Sequence, residues 1–416
     1  MTTFLPYFVV IMLLVVGLGF FNEKITGLTD EIALMLFSIA VGGILLLYRC
    51  FFANADVQLI LDDIQRFDLE DYLMDCVLCF MLFAGSCHMK LRDFGRLARP
   101  VALLSFLCTL LGAVIYGVAF FLAGKLLSLS FSLAGCLMFG AIVAPTDPIA
   151  ATSILKKFGL PKDTSFLIES ESLFNDGVGV ALFVCFSGMV KASENESVLI
   201  VMCREVLGAA LVGIVVSAIC LFVFANTKNN NRQIFSSLLA VSTAYLLCEH
   251  FDFSGAIASV VCGIMYSHFS TSSVDTQIFN GFWGVLDDFL NSVLYVMLGL
   301  SFIKVLTMPI VMALSAVAII CNFIGRFSSV GITTLFFKEM PDGYSRLNFS
   351  KLLTWAGLRG GLCIALAMST NSILSDDSYL ILLGGTYGIV FFTTVVQGLT
   401  MRKVYEKIQN RREPDD

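Results

Sequence analysis

The chain has 416 residues, 57% of them apolar and only 14% charged, with a formal net charge of −6 and a mean hydropathy of +0.87. A soluble protein of this size cannot hide that much apolar surface in one or two cores, so a bilayer is the solvent. A soluble enzyme, a disordered chain and a nucleic-acid binder are excluded, the last also because the charge offers no basic footprint.

Thirteen cysteines lie mostly inside apolar runs and read as small packing residues. Cys76 and Cys79 form a CxxC with no second pair, and the histidines (His88, His250, His268) are too scattered for a zinc site. No cofactor is implied.

A span needs about 20 apolar residues to cross the hydrocarbon. Thirteen runs qualify, at roughly 4–21, 32–52, 72–89, 100–124, 131–156, 164–190, 198–224, 232–248, 252–267, 282–303, 306–337, 351–373 and 380–401. The first lacks a basic start and a small-residue cleavage site, and reads as a retained span. All are expected to be helical, because lipid offers the backbone no partner outside its own segment. The fold class is therefore an all-α polytopic membrane protein of about 13 helices. Eighteen of the 26 Lys and Arg fall on loops after odd-numbered spans and on the C-terminus, and six fall on the other side. That bias puts the N-terminus outside and the C-terminus in the cytoplasm. Spans 1–6 and 8–13 pair as two six-helix halves entered from opposite sides, an inverted repeat of the transporter kind.

Three spans carry polar groups at membrane depth, where they are costly and mark function. Span 5 contains Ala144-Pro145-Thr146-Asp147-Pro148. Two prolines three residues apart delete two amide donors and break the helix, leaving carbonyls, hydroxyls and half-helix ends that can face an ion. Asp147 sits at that break; a bare kink would not need a carboxylate there. Span 6 contains Glu169-Ser-Glu171-Ser172-Leu-Phe-Asn175-Asp176, with Asp176 near the bilayer centre. Ser172 and Asp176 share one face, Glu171 and Asn175 the neighbouring one. Span 12 contains Gly357-Leu-Arg359-Gly360-Gly361, a second weak point at the position of its half that corresponds to span 5. Arg326 lies in span 11. Buried cations need anions, so Arg326 is expected to balance Asp147 and the broken helix ends, and Arg359 to balance Glu171 or hold Asn175. That leaves Asp176 as the free carboxylate. Asp75, Asp287 and Asp288 lie nearer span ends and suggest helix-terminus or interfacial roles; Tyr72 and Trp283 suggest interface anchors.

The Ala144–Pro148 and Glu171–Asp176 motifs, their spacing, the intervening Lys156–Ile168 stretch and Gly357-Leu-Arg359-Gly360 resemble the sodium/proton antiporters of the monovalent cation:proton antiporter-1 family. The resemblance implies a single antiporter domain over 1–416. Scaffold and dimerisation helices would lie mainly in 1–97 and 198–303, and a mobile transport core with interrupted helices 5 and 12 mainly in 98–190 and 306–401, followed by a short tail over 402–416. It implies a homodimer in the plasma membrane, of bacterial inner-membrane type, that exchanges Na⁺ or Li⁺ for H⁺ by alternating access and is not an enzyme. By motif match, Asp176, Ser172 and Thr146 bind the ion. Asn175, Asp147, Glu171, Arg359 and Arg326 support the site or balance its charge. One departure stands out: many relatives carry an acid on span 3, where Phe83 and Ala84 stand here.

Asp176 would hold either a proton or a cation, so that each crossing state is neutral and the empty ionised carboxylate stays behind a charge-burial cost. Asn175 carries no second proton, so exchange is expected to be electroneutral and one-for-one. The alternatives are a K⁺/H⁺ antiporter on the same scaffold, an ion channel, and an intramembrane hydrolase with Asp147 and Asp176 as an aspartyl pair. The neighbouring arginines weigh against the last.

Overall fold

A computed structural model describes residues 4–51, 77–88, 91–127, 129, 131–147, 149–191, 198–273, 276–302 and 309–409. Tyr72, Asp75, Cys76 and Pro148 fall outside them. The regular structure of the described residues is helical, in the order α1 Phe4–Phe21, α2 Asp30–Phe51, α3 Leu78–Cys87, α4 Leu91–Ala102, α5 Thr109–Leu126, α6 Leu133–Ile142, α7 Ile149–Lys157, α8 Lys162–Lys191, α9 Val198–Asn226, α10 Asn230–His250, α11 Gly255–Ser273, α12 Thr276–Ser301, α13 Pro309–Thr334, α14 Arg346–Ala356, α15 Gly361–Met368, α16 Asp376–Phe391 and α17 Gly398–Gln409. Wide π turns, Leu103–Cys108 and Phe392–Gln397, join α4 to α5 and α16 to α17.

Eight helices are long and apolar enough to cross a membrane, and Leu78–Cys87, Leu133–Ile142 and Gly255–His268 are shorter apolar helices. The chain is an integral membrane protein. Large apolar side chains such as Leu13 and Val16 of α1 and Leu207, Leu211 and Phe222 of α9 are exposed, as a lipid-facing surface requires. Polar caps set helix starts where the sequence supplies them. Ser132 accepts from Gly135 N–H at 3.0 Å, and Asn229 from Asn231 and Arg232 at 3.0 and 3.3 Å. The start of α8 is capped from a distance: Asp342 Oδ2 accepts from the N–H and hydroxyl of Thr164 at 2.9 and 2.6 Å.

The two expected interruptions are both present. Span 5 is split into α6 and α7, span 12 into α14 and α15, and the described residues between each pair are not helical. The breaks meet in a single antiparallel bridge, in which Asp147 N–H donates to the Leu358 carbonyl at 2.8 Å. Each break thus satisfies part of the backbone freed by the other. Among the expected ends that move, two stand out. Span 10 begins earlier than 282, at Thr276. The chain stays helical beyond residue 401 to Gln409, because Tyr405 is buried there and donates to the Gly159 carbonyl at 3.1 Å.

Candidate functional site

The site is built on the crossed breaks. Asn175 of α8 clamps the first: its Oδ1 accepts from Thr146 N–H at 3.2 Å, and its Nδ2 donates to Thr146 Oγ1 at 2.8 Å. Thr146 Oγ1 also shares a hydrogen bond of 2.7 Å with Ser172 Oγ. The Tyr295 hydroxyl of α12 donates to Asp147 Oδ2. Beside these groups lies a cavity of about 120 Å³, lined by Thr146, Asp147, Asp176, Asp287 and otherwise largely apolar residues of α3, α8, α12 and α15. Asp176 makes no hydrogen bond or ion pair among the described residues. Ser172 is buried and lies behind Thr146 rather than on the cavity wall.

The charge pairing differs from expectation. Arg326 is held by Glu171, not Asp147: Nη1 meets Oε1 at 2.5 Å and Nη2 meets Oε2 at 3.0 Å. Glu171 and Asp176 are five residues apart, about 140° around a helix, so one turns to α13 while the other turns to the cavity. Arg359 does not meet Glu171 or Asn175. Its Nη1 donates to the Ala144 and Pro145 carbonyls at 2.5 and 2.9 Å, and its Nη2 to Asn322 Oδ1 at 3.1 Å. The carbonyls freed by the proline break therefore bind a guanidinium at the negative end of α6. Arg326 does the same more weakly for α14, donating to the Leu353 carbonyl at 3.4 Å. With Arg326 6% and Arg359 3% exposed, both cations are committed away from Asp176.

Two further readings are corrected. Trp283 is no interface anchor: it is fully buried, its ring centroid is 4.3 Å from that of Phe83, and its Nε1 donates to Ser237 Oγ at 3.1 Å. Asp287 is not at a helix end. It lies eleven residues beyond Thr276, on the cavity wall. Beginning span 10 where hydropathy rises, at 282, hid this; the helical spacing of Ile278, Phe279, Phe282, Trp283 and Leu286 was the available signal. Tyr295, the partner of Asp147, had no sequence signal.

The crossing tolerates little at Gly360, where a Cβ would stand 2.9 Å from Asp147 Oδ2 and 3.1 Å from Asp147 Cβ. Gly360→Ala should therefore displace Asp147, lower transport about tenfold or more and cost about 1–3 kcal/mol of stability. Flux in vesicles and thermal melting in detergent check this; wild-type behaviour in both would show that the crossing is not tight.

The transmembrane sodium/hydrogen exchanger family profile matches residues 7–407. The chain belongs to that family. It is a family of membrane transporters rather than enzymes. The Na(+)/H(+) antiporter NhaP of Pseudomonas aeruginosa is 29% identical to this exchanger-family chain over 362 residues, 83% of each. The Na(+)/H(+) antiporter NhaH of Halobacillus aidingensis is 31% identical over 318 residues, covering 73% of this chain and 75% of its own. Among solved structures, the sodium proton antiporter MjNhaP1 of Methanocaldococcus jannaschii at pH 8 superposes with a TM-score of 0.76 over 98% of each chain at 19% identity, a likeness of fold.

Proposed function

We propose that this exchanger-family chain is a secondary antiporter that exchanges a monovalent cation, Na⁺ or Li⁺, for H⁺, one for one, by alternating access. The observation that carries this reading is the state of Asp176: it faces a cavity with room for several waters, without a hydrogen bond or ion pair among the described residues, while both nearby guanidiniums are held elsewhere. An ionised carboxylate so placed is costly to bury, and a proton or an alkali cation relieves that cost. Oxygen ligands suit a hard cation; Asp176 and the Thr146 carbonyl would supply them, with water, and Ser172 would join if it released Thr146.

Asn175 and Glu171 would hold the site's shape, together with Asp147, Arg359 and Arg326. The core would comprise 98–190 and 306–401, and the scaffold 1–97 and 198–303. This division is supported by the packing of α3, α9, α10 and α11 on one another and of α5, α6, α13 and α16 on one another. The scaffold would form a homodimer in the bacterial inner membrane, with the N-terminus outside and the C-terminus, including 402–416, in the cytoplasm.

The test is proton flux in proteoliposomes offered Na⁺, Li⁺ and K⁺ separately. Flux with Na⁺ or Li⁺ supports the reading; flux with K⁺ alone replaces it with K⁺/H⁺ exchange, and current without cation coupling replaces it with a channel. Because Asn175 is spent on Thr146 and carries no second proton, the rate should not depend on an imposed voltage. A rate that scales with voltage would refute one-for-one exchange.

A further inference from the structure

The α3 wall of the cavity supplies no carboxylate. Its lining residues are Leu78, Met81, Leu82 and Gly85. Phe83 and Ala84, the span 3 positions without an acid, are buried, Phe83 against Tyr266 and Trp283. A different helix brings a carboxylate to the same cavity: Asp287 of α12. Asp287 Oδ1 accepts from Asn291 Nδ2 at 3.1 Å, and the same amide donates to the Asp287 carbonyl at 3.0 Å, which fixes the side chain one turn away. Asn291 is 5% exposed. Asp287 has no ion pair among the described residues. The charged groups that act on it are Asp288 and Asp147, and the Cys87 thiol nearby is neutral. Neither is a cation, so a cation or proton that enters the cavity relieves their repulsion of Asp287. At about 120 Å³, the cavity has room for a cation that keeps part of its water.

We propose that Asp287 is a further carboxylate of the ion cavity, beside Asp147 and Asp176, that draws the monovalent cation to Asp176 and sets its affinity in place of an acid on span 3. The proposal rests on Asp176 being the exchange site. On the division above, Asp287 belongs to the scaffold and Asp176 to the core. Asp287 therefore strengthens binding without being carried across, and exchange stays electroneutral.

The experiment measures the Na⁺ dependence of proton flux in proteoliposomes at the alkaline end of the working range, where protons compete least for Asp176 and half-saturation reports cation affinity. Asp287→Asn should raise the half-saturating Na⁺ about tenfold or more and leave the maximal rate within about twofold. Asp287→Ser, which removes the charge with a smaller side chain, should show the same rise. Asp287→Glu should stay near the wild type. Unchanged half-saturation in both neutral variants, a fall in maximal rate alone, or an Asp287→Glu variant as weak as Asp287→Asn would overturn the proposal. Asp176→Asn in the same assay separates the two assignments. If it still transports, the exchange site is misassigned. If it is silent while Asp287→Asn behaves as the wild type, only the role of Asp287 falls.

Discussion

Asp176→Asn is expected to abolish cation-driven proton flux, a loss of at least about a hundredfold, while the protein folds and purifies as the wild type does. The size of the effect follows from the absence of a substitute. Asn cannot release a proton and carries no charge to hold a cation. The other carboxylates near the site have separate duties: Glu171 is paired with Arg326, Asp147 accepts from Tyr295, and Asp287 accepts from Asn291 on α12. The fold should survive because Asp176 makes no hydrogen bond or ion pair among the described residues that the amide would break. Asn is nearly isosteric and neutral, so it removes a half-buried charge rather than adding one; melting in detergent should be unchanged or slightly higher. Flux measured in proteoliposomes under a pH gradient decides the matter. Near-normal Na⁺ flux would remove Asp176 from its role.

The second large effect belongs to stability. Glu171 is 1% exposed and Arg326 6%, so removing either partner strands the other in a dry interior. Glu171→Gln and Arg326→Gln should each destabilise by about 3–5 kcal/mol. The pair Glu171→Leu with Arg326→Met should recover most of that loss, since replacing a whole buried ion pair by apolar groups is often close to neutral. The double variant would still lose the Arg326 bond to the Leu353 carbonyl at the end of α14, so recovery should be incomplete. A double-mutant cycle on melting or denaturant midpoints measures the coupling. Additive losses would mean that the two side chains do not depend on each other.

The parts of this site that depend on local chemistry were legible in the sequence. Pro145 with Pro148 removes amide donors, and Gly357, Gly360 and Gly361 weaken a helix, so both interruptions could be placed to within a few residues. Asp176 stood out because a central carboxylate in a long apolar run has few reasons to exist. The pairing of charges was not legible. It depends on how far α8 is rotated about its axis and on which carbonyls the crossed breaks leave open, and both are settled by packing between segments far apart in sequence. Arg359 is the clearest case: its partners are mainly backbone carbonyls, which leave no mark in the side-chain pattern. Trp283 shows the same limit from the other direction. A tryptophan near the expected start of a span reads as an interface anchor, yet the helix begins earlier and the indole packs against Phe83. Asp287 was misplaced for that same reason, and with it a further carboxylate of the cavity.

The identity of Asp176 as a group that proton and cation occupy in turn is tested most directly by proton release on cation binding. Purified protein in weakly buffered detergent solution, adjusted so that Asp176 is protonated, is titrated with NaCl against a choline chloride control, and the protons released are counted with a pH indicator. Competition for one carboxylate predicts about one proton released per Na⁺ bound, and none from Asp176→Asn. Sodium binding with no proton release, or equal release from the Asn variant, would contradict it.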